Sequence, residues 1–155
     1  LSPIVTDIVS KHTKNIDSAI GKLNKNSAET ITTQELLNLI LELQIEEFYF
    51  STTKDMAVLK QECAVALEKT SQAEIYNSTE GTQTYRQNKA INSTVDKDIV
   101  RILYTTVANA LKTKYEETHR MIGTLNSILI SRNVKARQSI QGASTDYEDT
   151  RNNID

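Results

Sequence analysis

Proline is almost missing from this sequence: 155 residues hold one, Pro3, and only four glycines. Proline breaks a helix interior by removing a donor and clashing with the preceding turn. No such break exists after residue 3, so long helices are expected. The single cysteine, Cys63, excludes an internal disulfide and with it a disulfide-stapled small domain. A formal charge of −2 and a pI near 5.8 argue against a general nucleic-acid binder. No unbroken apolar run reaches the roughly 18 residues of a membrane helix. No secretory signal is visible at the start, and Leu1 in place of Met suits a trimmed chain. What the sequence does have is polarity without charge. Ser, Thr, Asn and Gln make up 51 residues, enough to coat the outside of long helices.

Three helical stripes are legible. The first runs from about Pro3 to Leu23, with Val5, Val9, Ile16, Ile20 and Leu23 on one side and Ala19 beside them. Pro3 suits a first turn, where its missing N–H is not needed. Asn24-Lys25-Asn26-Ser27 reads as a connection. The second stripe opens on Thr32-Thr33-Gln34-Glu35, a capping box in which hydroxyl and carboxylate each accept from the other residue's backbone N–H. Ile31 and Leu36 are placed to form the hydrophobic staple. Leu37, Leu41, Ile45, Phe48, Thr52, Met56, Leu59, Cys63 and Ala66 then repeat at steps of three and four. A further row, Leu36, Ile40, Leu43 and Phe50, widens the front more than one partner helix can cover. These four residues are the expected interaction surface: the first helix is expected to cover part of the front, and another copy or another protein the rest. Residues 77–94 show almost no apolar periodicity and read as a loop with at most a short, marginal helix; 18 residues is long for a compact domain.

The third stripe starts near Ser93 or Thr94, with Asp96 and Asp98 complementing the helix dipole. Val100, Tyr104, Val107, Leu111, Tyr115, Ile122, Leu125 and Leu129 repeat near 3.5 residues and form the expected coiled-coil seam, with Thr118 in the row. Gly123 falls inside this helix, where a small residue invites the close approach of another. Gly142 is the expected stop, and residues 142–155 the expected disordered polar tail.

Candidates for chemistry are few. Glu116 and His119 form a Glu-x-x-His, half of a di-metal carboxylate site. The other half is missing, because Val9 precedes His12 where Glu is needed. The pair therefore reads as surface residues one turn apart. His12 reads as a half-buried residue at a helix seam, and Cys63 as a buried small apolar one, since Gln61, Glu62 and Ala64 supply no base. Arg132, Lys135 and Arg137, with Arg120 further back, complement a helix end, and no aromatic residue interleaves with them for base stacking. Asn77-Ser78-Thr79 and Asn92-Ser93-Thr94 match the glycosylation acceptor pattern. No phosphate loop, zinc spacing or nucleophile elbow occurs. No catalytic residue, metal ligand or cofactor is expected.

The expected architecture is all-α: an elongated bundle of two long antiparallel, coiled-coil-like helices and a shorter N-terminal one, in a single domain over 1–141. The expected function is non-enzymatic assembly, in a secreted or surface-exposed component of filament, translocon or tip, or scaffold type. Its partner is protein, as self-association or a partner helix; no nucleic acid and no membrane span are expected. The alternative is a ligand-sensing extracytoplasmic helical bundle of a receptor.

Overall fold

The computed structural model describes residues 2–25 and 30–151, and side chains for 2–23 and 30–140. Four helices follow one another: α1 (Ser2–Lys25), α2 (Thr33–Ser78), α3 (Gln83–Asn92) and α4 (Val95–Arg151). The fold is all-α, with no strand among the described residues. Residues 26–29, in the expected connection, lie outside the described ones. At one end of the molecule Gln72 of α2 meets Thr94 and Glu68 meets Arg101. At the other, Glu47 meets His119 and the Ile31 carbonyl meets Arg132. Rising numbers along α2 therefore face falling numbers along α4, and the two long helices are antiparallel. α1 lies beside the second of these ends. It is held to α2 by Asn15–Glu46 and Lys22–Glu42, and to α4 by Asp17–Lys114.

The start of α2 follows from its capping box. Thr32 Oγ1 accepts from the Glu35 N–H at 3.2 Å, and the Glu35 carboxylate accepts from the Thr32 N–H at 2.8 Å. Ile31 and Leu36 are buried in one apolar cluster with Ala19, Leu43 and Leu125. The bonds from the Thr32 backbone, then its hydroxyl, hold the Glu35 carboxyl below its ordinary value. A carboxyl lowered in the folded chain stabilises fully above its unfolded pKa, and that contribution disappears as pH falls through the folded pKa. Glu35→Gln should therefore be less stable than the native chain at neutral pH, and the gap should close in acid. Denaturant midpoints across that pH range test this; a gap constant with pH would contradict it. Thr32→Ala, which removes the cap itself, should cost about 1 kcal/mol.

Burial along α2 has a seven-residue period. Leu36, Leu43, Phe50, Ala57, Ala64 and Ser71 are all buried. Leu111, Thr118 and Leu125 repeat the step on α4, as do Ala108 and Ile122 across two steps. Seven residues is the spacing that keeps one edge of a helix against a long neighbour. The seam tapers in size. Leu, Leu and Phe sit where α1 adds a third layer, Ala57 sits beside the start of α1, and Ala64 and Ser71 sit further along the α2–α4 seam.

Three expectations are corrected here. The loop over 77–94 is mostly helix: α2 runs to Ser78, and α3 begins at Gln83. Thr82 caps α3 by accepting from the Tyr85 N–H. Gly81 makes the turn at φ 121°, and a Cβ there would lie 3.0 Å from the Tyr85 ring. Arg86 then stacks on the Tyr76 ring and donates to the Tyr76 carbonyl, fastening α3 to the end of α2. Polar capping makes this helix, so apolar periodicity does not reveal it. The stop at Gly142 does not occur either: the α4 backbone runs on to Arg151, and residues 152–155 of the expected tail lie outside the described ones. Lastly, Gly123 is exposed and a Cβ there would meet nothing within 4 Å, so no helix approaches it.

Candidate functional site

The two apolar rows of α2 take opposite places from those expected. Leu36, Ile40, Leu43 and Phe50, the expected interaction surface, are none of them more than 4% exposed. They fill the space between α1, α2 and α4, with Ile16, Ala19, Val107, Leu111, Ile122 and Leu125. The chain's own helices cover the wide front. The row expected in the core is exposed instead. Of its residues, Leu37, Leu41, Ile45, Phe48, Met56 and Leu59 lie on the outside of α2, with Thr52, Cys63 and Ala66 among them, and Leu67 extends the exposed face. Phe48 is 75% exposed and packs edge-to-face on Tyr49, itself exposed. Cys63, expected to be buried, is exposed. On α4, Val107, Leu111, Ile122 and Leu125 are buried, Tyr104, Tyr115 and Leu129 half-buried, and Val100 exposed.

The polar side chains cluster where helices meet. Thr13, buried, donates to Asp17 at 2.7 Å, and Asp17 pairs with Lys114 at 2.5 Å. Burial raises the Asp17 pKa, but the bonds from Lys114 and Thr13 and the Lys114 charge outweigh it, so the carboxyl ends below its ordinary value. At the far end Arg101 bridges Asp98 and Glu68, the latter at 2.6 Å. Thr94 is fully buried; its hydroxyl donates to the Ala90 carbonyl and accepts from Gln72. These contacts join elements of the fold to one another.

The expected chemical candidates separate. Glu116 and His119 are both exposed, and His119 Nδ1 lies 2.8 Å from Glu47 of α2, with its ring stacked on Tyr115. Among the described residues no group of three or more His, Cys, Asp or Glu gathers in a way that could hold a metal ion. Arg132 donates to the Ile31 carbonyl at 2.8 Å, a bond that closes the end of the bundle, while Arg120, Lys135 and Arg137 are exposed. Both glycosylation patterns sit at helix ends. Thr79 and Thr94, which complete them, are buried and bonded to the Ile75 and Ala90 carbonyls. Among the described residues no helix is long and apolar enough to cross a membrane.

His12 is exposed rather than half-buried, and it lines a groove of about 480 Å³ where the start of α1 leaves α2 and α4 uncovered. Ile8, Met56, Tyr104 and Leu111 form its apolar walls.

No protein-family model matches this chain, and neither does any curated protein or solved structure.

Proposed function

We propose that this chain is a non-enzymatic assembly protein, whose work is done by packing one helix face against another polypeptide. The observation that carries this reading is the exposed row on α2. Seven large apolar side chains follow one side of a single helix, from Leu37 to Leu67. Contiguous apolar surface of this extent is rare on soluble monomers and marks interaction sites. The coiled-coil character expected from the sequence belongs to this proposal, and so does the secreted or surface-exposed setting of a filament, translocon or scaffold component. A third of the residues being Ser, Thr, Asn or Gln suits such an exterior.

A photoreactive residue in place of Phe48 should crosslink to another polypeptide in the producing cells. The same residue in place of Thr106, exposed on α4, should not. Absence of any Phe48 product would count decisively against the assembly reading.

The groove beside His12 favours one other reading, the ligand-sensing bundle, because its volume falls in the roughly 300–1,000 Å³ range of small-molecule sites. In that reading a small amphipathic ligand raises the melting temperature of the native chain but not of Tyr104→Ala. Equal shifts, or none, would remove it.

A further inference from the structure

We propose that the exposed face of α2 joins two copies of this chain, antiparallel, about a two-fold axis at Thr52. This rests on the assembly reading above and names its partner. The face is built from positions 37, 41, 45, 48, 52, 56, 59, 63 and 67, all nine of them exposed. The steps between them are four, four, three, four, four, three, four and four, an order that is the same from either end. Every apolar side chain before Thr52 thus has a counterpart at equal distance after it: Leu37 and Leu67, Leu41 and Cys63, Ile45 and Leu59, Phe48 and Met56.

A two-fold contact between identical copies is isologous, so that residue i meets j and j meets i. Antiparallel pairing centred on Thr52 satisfies that condition at every position of the face. A different partner needs no such symmetry in this chain. The geometry of the row suits the pairing too. Positions 41 to 63 form two 11-residue repeats, about 3.67 residues per turn, close to the 3.6 of a straight helix. That stretch therefore runs along α2 almost without winding around it, for about 33 Å at 1.5 Å per residue, within a face about 45 Å long. Side chains at equal height lie to opposite sides of the centre line, so those of one copy fit between those of the other.

Area and charge agree with this. The seven large side chains leave roughly 700 Å² in water, against about 800 Å² per partner in an interface of standard size. Lys60 and Glu42 lie on one flank of the face, each about 80° from the direction of Thr52 at 3.6 residues per turn. The two-fold brings the partner's Glu42 to within two residues of the height of Lys60. That carboxylate already holds Lys22 of its own chain, and Lys60 adds a second cation.

Thiol crosslinking of the full-length chain with a short bifunctional maleimide tests the register. In the native chain the two Cys63 residues lie about 33 Å apart along the helices, so no linked dimer is expected. Leu41→Cys places a thiol opposite the partner's Cys63, and Thr52→Cys in a Cys63→Ser background places two thiols at the axis. Both variants should give linked dimers, and sedimentation of the native chain should show a dimer. Linkage of native chains through Cys63 alone would mean parallel pairing and overturn the proposal. A monomer at high concentration with neither variant linking would overturn it as well. If in that case the Phe48 photoproduct contains a different polypeptide, the two-fold is lost and the assembly reading stands.

Discussion

Leu111→Ala and Leu125→Ala should each lower the free energy of unfolding by about 2–5 kcal/mol, the range for deleting a core leucine side chain. Leu41→Ala and Phe48→Ala should change the stability of the monomer by no more than about 0.5 kcal/mol, as surface substitutions do. The contrast follows from position and not from residue type. Leu111 is 2% exposed and packs with Ile16, Phe50 and Val107. Leu125 is buried with Leu36, Leu43 and Ile122. Shortening either one leaves a void bounded by three helices, none of which moves without disturbing the others. Leu41 and Phe48 are more than half exposed and lose little by truncation. Urea unfolding at a concentration low enough to keep the chain monomeric separates the two groups. Equal losses in all four variants would mean that the outer face is part of the core.

That contrast also shows how far the sequence was legible. Helix class, the two long helices and the shorter N-terminal one, the capping box at Thr32 and the start of α4 beside Thr94 all follow from local chemistry, and local chemistry is what a sequence displays directly. The side of α2 that faces inward was not legible from hydropathy. Its outer row carries Leu37, Leu41, Ile45, Phe48, Met56 and Leu59. Its inner row passes from Leu43 and Phe50 to Ala57, Ala64 and Ser71. Beyond Phe50 the inner row is the less apolar of the two, because helices that approach closely need small side chains between them. The signal that separates the rows is period: seven residues for the row against a long neighbour, and near eleven for the row facing outward. The candidate site is thus present in the sequence, but hydropathy alone places it in the core. α3 was hidden for another reason. It is held by Thr82, Gly81 and the Arg86–Tyr76 contact, and its only buried side chain is Ala90.

Ala64→Leu should destabilise the chain by about 1–3 kcal/mol, although it adds a leucine to a helix rich in leucine. Ala66→Leu, two residues away, should be neutral within about 0.5 kcal/mol, because both residues are good helix formers and position 66 is exposed. Ala64 is 6% exposed, one step of seven beyond Ala57, which packs with Val107, Ala108 and Leu111. One turn further along α2, Glu68 is paired with Arg101 at 2.6 Å. A leucine at 64 has to push α2 and α4 apart between these two contacts. The separation costs packing at Ala57 and Ala108 on one side and weakens the Glu68–Arg101 and Gln72–Thr94 bonds on the other. Thr94 has no exposed surface, so water reaches its hydroxyl only after the helices have moved. The damage therefore spreads toward the α3 corner, and hydrogen exchange should rise at Thr94 to Asp98 in Ala64→Leu but not in Ala66→Leu. An Ala64→Leu chain as stable as the native one would mean that the seam has room for a large side chain, and that the taper from Leu43 to Ser71 does not set the distance between the long helices.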